Sequence, residues 1–286
     1  MSKSSILLLP EASLAGCIFA AVVRDTRSLL LTDQERFNYF PASPLMTLTI
    51  VFEGDIRIVS PLDQPSDGNM EAIILPPVSL SGPQDKPLVS WNPGTVFAIS
   101  IGFFPEAWAK LTGTVPVEFL NQTHADIPAV ISTAVNACED IQDVTEWWDV
   151  FCQRIQPSWP SMKNKNSIPT WIGGDRIGNW AKSIVAKAAI SGPGKSARAA
   201  ERRIRRWTGQ NKQSLAFYER LESLHRRVEQ NDREPLVNIA SDSGFADQSH
   251  MSRTVQRGTG YPPAQLNRLI ATHEAFWCYR LLGKRF

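Results

Sequence analysis

The sequence predicts an α+β protein: a β-rich N-terminal half, built as a barrel or a sandwich, followed by an all-helical C-terminal half. Three observations carry that expectation. Short apolar, β-branched runs alternate with proline and glycine through residues 14–104. Beyond about residue 130 the apolar residues recur at helical spacing. The charge also divides along the chain. The net charge of the 286 residues is only +2. Residues 1–160 carry 8 Lys/Arg against 18 Asp/Glu, a net of −10, and residues 161–286 carry 22 against 10, a net of +12. A basic half of this kind suits a polyanionic partner.

The elements follow in order. Residues 14–23 read as a buried strand. The tetrad Leu14-Ala15-Gly16-Cys17 has the form of a lipoprotein cleavage box, but Pro10 and Glu11 interrupt the apolar stretch that a signal segment requires. Leu45–Phe52, Ile56–Val59, Ala72–Leu75 and Val96–Phe104 read as strands. The Glu53-Gly54-Asp55 turn makes 56–59 the expected hairpin partner of 45–52. Helix is expected over Glu106–Leu111 and Ile131–Ile155, where Trp147, Val150, Phe151 and Arg154 share a period of about 3.6 residues. Gln156–Thr170, with three prolines, reads as a linker. The division is therefore 1–156, a linker at 157–170, and 171–286.

Chemistry-bearing clusters are sparse. The four cysteines (17, 138, 152 and 278) show no paired spacing and read as reduced, buried thiols of a cytoplasmic protein. No zinc spacing occurs, and only His124 of the four histidines lies in the acidic half. The longest uncharged run near the N-terminus, Ala12–Val23, is too short to span a bilayer. No catalytic residues, metal ligands or cofactor are expected, and no membrane partner.

Two basic helices stand out. In Ser196–Gly209, Ser196 is a good N-cap and Gly209 a good stop. Ala200, Ile204 and Trp207 form one stripe, Arg198, Arg202 and Arg205 the opposite one, with Glu201 and Arg206 on its flanks. An arginine stripe of this density repels itself unless a polyanion neutralises it. The alternative is an ordinary solvated face. Leu236–Arg257 reads as helix, tight turn, helix: Gly244 supplies the turn, Phe245 plugs the space between helices, and Asp247 caps a helix whose Met251 and Val255 face inward. Gln248, Ser249, His250 and Arg253 remain outside, residue types that can read base edges. A generic two-helix corner is the plainer reading. The last stretch, Ala264–Leu282, reads as helix with Leu266, Ile270, His273, Phe276-Trp277 and Leu281 at helical spacing, the aromatic pair as core.

Ile239-Ala240, Gly244-Phe245, Asp247-Gln248-Ser249-His250, Ser252-Arg253 and Gly260-Tyr261-Pro262-Pro263 together resemble the signature of AraC/XylS-type transcription regulators. Ser196, Arg198, Glu201-Arg202-Arg203, Gly209 and Tyr218 resemble the same family's first helix-turn-helix and connecting helix. Ala200 and Ile204 stand where the family has larger apolar residues, and the turn Ser191–Lys195 is unusually glycine-rich. The resemblance covers about residues 195–270. It implies an all-α DNA-binding domain with two helix-turn-helix units behind a cupin-like barrel or sandwich that senses an effector or mediates dimerisation. Phe103–Trp108 with Leu111-Thr112-Gly113 resembles the end of such a sensor domain.

By position, the resemblance makes Arg198, Glu201, Arg202, Gln248, Ser249, His250 and Arg253 the base-contacting candidates. Arg205, Arg206 and Arg257 are the candidates for phosphate. The expected function is a cytoplasmic, sequence-specific regulator, an activator by analogy, and not an enzyme. Its partners would be double-stranded DNA and, by resemblance, RNA polymerase, with a small-molecule effector and a homodimer as further expectations. Phe52, Trp91 and Phe97 are aromatics that either line an effector pocket or form ordinary core. Two alternatives stay open: a helical protein-interaction module, and a DNA-repair enzyme, of self-alkylating type, fused to a DNA-binding part.

Overall fold

The computed structural model describes residues 4–59, 72–159, 176–192, 196–230 and 247–283. Among the described residues, the N-terminal half holds ten strands in two antiparallel sheets. The first has the order β1 (Ser5–Leu8), β2 (Ile18–Asp25), β9 (Phe97–Phe103), β4 (Met46–Glu53), β7 (Val78–Ser81), β10 (Thr123–His124). The second has the order β3 (Phe37–Phe40), β8 (Leu88–Trp91), β5 (Arg57–Val59), β6 (Ala72–Ile74). The four apolar runs expected as strands are β4, β5, β6 and β9. The buried strand begins later than expected, at Ile18, and Leu14–Cys17 forms a turn packed into the core.

The expected hairpin between β4 and β5 does not form. β4 pairs with β9 and β7, whereas β5 pairs with β8 and β6. The Gly54 turn carries the chain from one sheet to the other. Gly54 has φ +83°, and a Cβ there would lie 2.1 Å from the Thr95 carbonyl oxygen, so only glycine fits.

Three helices close this half: α1 (Pro105–Thr112), α2 (Ala129–Asn136) and α3 (Val144–Ile155). The single helical stretch expected over 131–155 is broken, because Asp143 caps a fresh start by accepting from the amides of Thr145 and Glu146. The buried arc of α3 is Trp147, Trp148, Phe151, Cys152 and Ile155, while Arg154, expected on the apolar side, is exposed.

The helical half follows with α4 (Arg176–Ile190), α5 (Ala197–Thr208), α6 (Lys212–Gln230), α7 (Gln248–Thr259), α8 (Pro263–Thr272) and α9 (Trp277–Gly283). The expected final helix is split at His273, with a short 3-10 turn over Glu274–Phe276 before α9, and Phe276 and Trp277 are core as expected. Ile239-Ala240 and Gly244-Phe245 of the recognised signature, and most of the expected linker, lie outside the described residues.

The two halves share their cores. One apolar cluster joins Phe103, Phe104 and Trp108 to Trp180, Ile184, Ile204 and Leu215. A second joins Phe37, Val59 and Val89 of the smaller sheet to Met251, Val255 and Leu266. Tyr39 stacks on Phe276 with ring centroids 4.6 Å apart. Polar ties cross the same boundary. Arg24 pairs with Glu274 at 2.8 Å, Trp277 Nε1 donates to Asn38 Oδ1 at 2.7 Å, and the Arg176 guanidinium donates to the carbonyls of Ala15, Ile18 and Phe19.

Candidate nucleic-acid interface

α5 and α7 are built alike, and their caps show it. Each has 12 residues. At the start, the Ser196 hydroxyl accepts from the Ala199 amide at 3.2 Å, and the Asp247 carboxylate accepts from the His250 amide at 2.6 Å. At the end, Thr208 and Thr259 each donate a hydroxyl to the carbonyl four residues back, at 2.8 Å in both. Each threonine also accepts from an amide two residues on, Gln210 at 3.2 Å and Tyr261 at 3.3 Å. Gly209 (φ +73°) and Gly260 (φ +85°) then take the left-handed turn. Both helices thus satisfy their terminal backbone groups in the same way. No repeat is evident from side-chain types alone, but the intervals Ser196–Gly209 and Asp247–Gly260 are equal in the sequence.

Laying one helix on the other sorts the candidates. Ile204 and Val255 occupy the same place and are both buried. Arg202 and Arg253 coincide and are both exposed, as are Arg198 and Ser249, Arg205 and Gln256, and Arg206 and Arg257. Gln248 is exposed in the first turn of α7. Two candidates stand differently. Glu201 is half-buried, 3.8 Å from the Arg205 guanidinium, and accepts from the Lys212 amide at 3.4 Å. His250 is half-buried and occupies the position of Ala199, which is buried in α5.

Arg203 is turned inward and donates to the Ala188 carbonyl at 2.8 Å, which pins α5 to α4. Arg257 lies over the Phe217 ring at 4.6 Å, so its stem is ordered by α6. The buried stripe of α5 is Ala199, Ile204 and Thr208, with Ala200 and Trp207 half-buried beside it.

The β-rich half holds both helix ends. The backbone of Pro116 and Val117 lies so close to Gly209 that a Cβ there would meet it at 3.0 Å. Pro87 lies against Gly260, and the Ala42 amide donates to the Gly258 carbonyl at 2.7 Å. These contacts come from one connected patch. Asn121 bonds the Pro83 carbonyl through its amide and receives the Asp85 amide on its side chain, at 2.9 and 3.0 Å. Ser43 and Gln84 exchange two backbone bonds, and Tyr218 of α6 donates to the Gln84 carbonyl at 3.0 Å. The patch therefore braces α5, α6 and α7 together.

Behind α7 lies a cavity of about 280 Å³. Its walls are the inner faces of both sheets, and its cap is helical, with Met251 and Val255 of α7 and Leu266 of α8 reaching it. Phe52, Trp91 and Phe97 do not line it. Phe52 instead packs on Phe97 and Trp147, so these rings serve the core or the surface. Among the described residues no cluster suited to a metal ion occurs, and no helix is long and apolar enough to cross a membrane.

Residues 193–268 match the family described as helix-turn-helix domain. They form a helix-turn-helix segment of the AraC type, a DNA-binding fold. Several solved structures match the chain at low identity. ToxT from Vibrio cholerae is 15% identical, with 83% of this chain and 95% of that one covered and a TM-score of 0.37. An unsaturated fatty acid bound wild-type ToxT from the same organism is 14% identical, with 80% and 93% covered and a TM-score of 0.35. The AraC-like transcriptional activator CuxR is 10% identical, with 98% and 91% covered and a TM-score of 0.26. No curated protein sequence is similar to the chain.

Proposed function

We propose that the protein reads a specific DNA sequence with α5 and α7 and that a small molecule in the cavity behind α7 controls it. The carrying observation is the pair of identically capped helices that expose arginine at the same place, Arg202 and Arg253. In this reading Arg198, Arg202, Gln248, Ser249 and Arg253 face base edges, and Arg205, Arg206 and Arg257 neutralise phosphates. Glu201 and His250, half-buried and held by local contacts, belong to the base-reading set only at its margin. The boundaries 1–156, 157–170 and 171–286 describe a sensing part, a linker and a DNA-binding part. Activation through RNA polymerase, a homodimer on DNA and a cytoplasmic location complete the reading.

A non-enzymatic role fits the thiols. Burial pushes Cys17, Cys152 and Cys278 up to about 12, so none is poised as the thiolate that a self-alkylating repair enzyme needs. The test is a gel-shift titration on a selected site. Arg253→Ala is expected to weaken specific binding by about 1–3 kcal/mol and relax preference at one base pair, whereas Arg206→Ala lowers the salt dependence across all sequences. Unchanged binding by Arg253→Ala would remove α7 from the groove.

A further inference from the structure

The cavity behind α7 has a chemistry that selects its occupant. One wall of the larger sheet presents hydroxyls: Thr49 of β4 stands opposite Ser100 of β9, and Thr47 opposite Ser81 of β7. Thr49 and Ser100 already bond each other at 3.0 Å, yet a hydroxyl pair keeps further donor and acceptor capacity. The rest of the lining is mainly aliphatic and aromatic.

Charge is the deciding feature. Among the described residues that line the cavity there is no lysine, arginine or histidine. The one charged group is Glu222, which is buried. Its two carboxylate oxygens accept from the amides of Ile177 (3.1 Å) and Gly178 (3.0 Å), so it closes the N-terminus of α4. Neither Arg176 nor Arg24 lines the cavity: Arg176 donates to carbonyls of the 15–19 segment, and Arg24 donates to Glu274 and Ser4. A carboxylate entering this space would lose its water, meet no cationic side chain among the described lining residues and face Glu222. A cation would have to draw Glu222 from amides it already serves.

Resting on the reading of this cavity as the effector site, we infer that it takes an uncharged, largely apolar small molecule bearing a hydroxyl or carbonyl, and that it excludes carboxylates. The apolar body lies against Met251, Val255 and Leu266, and the polar group meets the Thr49–Ser100 wall. Because Met251 and Val255 are the inner face of α7, occupancy bears directly on a DNA-reading helix.

The test compares two probes of equal chain length, 1-decanol and decanoate, on the full chain near neutral pH. Binding is read by concentration-dependent thermal stabilisation and by calorimetry. Decanol is expected to bind and decanoate to bind at least about tenfold more weakly. Leu75 lines the cavity at a half-buried position, so it accepts substitution with little risk to the fold. Leu75→Trp is expected to block decanol, and Leu75→Lys to bring decanoate up to the level of decanol. Decanoate binding the unmodified protein as tightly as decanol, with both lost in Leu75→Trp, overturns the uncharged class and leaves the cavity as the effector site. If Leu75→Trp leaves decanol binding unchanged, or neither probe binds, the effector site falls as well. DNA binding by α5 and α7 is measured separately by gel shift without either probe.

Discussion

Arg253 and Arg202 are the residues proposed for the groove, and Glu106 shows how the helical half is tied to the β-rich half. Burial opposes its ionisation, yet hydrogen bonds from Lys187 and Lys110 outweigh that and keep its pKa below the ordinary 4.5. Lys187 belongs to α4, so the pair ties α1 to the helical half, and Lys187 also lies 5.1 Å from the centroid of the Trp207 ring on α5. A lowered carboxylate contributes its stability in full above about pH 4.5 and loses it as pH falls through the lowered value. Thermal melts of the unmodified protein should therefore drop on acidification below that point, and Glu106→Gln should be less stable at neutral pH and show a shallower acid decline. Parallel pH profiles for the two proteins would remove Glu106 from this role. Which single residues would stand exposed was largely readable from helical phase, as Arg198, Arg202, Ser249 and Arg253 show. The inward turn of Arg203 and the half-burial of Glu201 were not, because each depends on a neighbour from another helix.

At the scale of elements, the brace formed by residues 82–87 and 115–122 is a mechanical link between the β-rich half and helices α5 and α7. Gly82 is its tightest point, since a Cβ there would sit 1.8 Å from the Phe119 carbonyl oxygen, and its amide donates to the Gln122 carbonyl. Gly82→Ala must part the two segments, and DNA affinity is expected to fall although Gly82 is no candidate for touching DNA. Tyr218→Phe removes one bond to the same patch and is expected to cost only about 1 kcal/mol of stability. Circular dichroism melts and gel shifts on both variants check this, and normal DNA binding by a folded Gly82→Ala would show that the brace is passive.

The longer apolar runs that became β4 and β9 were legible because several β-branched residues fall between turn signals. β3, β7 and β8 were not. They are four residues each, and Asn38, Ser79 and Ser90 interrupt the apolar pattern with polar groups that are nonetheless buried. The misassigned hairpin has the same origin. A Gly-Asp turn fixes a local bend, but which strand a segment pairs with is decided by contacts far away in sequence.

On the scale of the whole molecule, the acidic and basic halves are joined by a shared core rather than merely linked. The near-neutral total charge is the sum of a negative half and a positive half. Arg24–Glu274 is the most buried ion pair across that boundary, with the Arg24 side chain only 7% exposed. Glu274→Gln leaves the guanidinium beside Trp277 without its counter-charge and should cost roughly 3 kcal/mol, visible as a lower Tm. A change within error would mean that Ser4 and Trp277 suffice to hold Arg24.

The central claim is that α5 and α7 each enter the groove. Dimethyl sulfate footprinting of guanine N7, with the full chain on a selected site, tests it most directly. Two protected major-groove patches about one helical turn apart are expected, with Arg202→Ala weakening one and Arg253→Ala the other. A single patch, or two patches indifferent to both substitutions, would contradict the account.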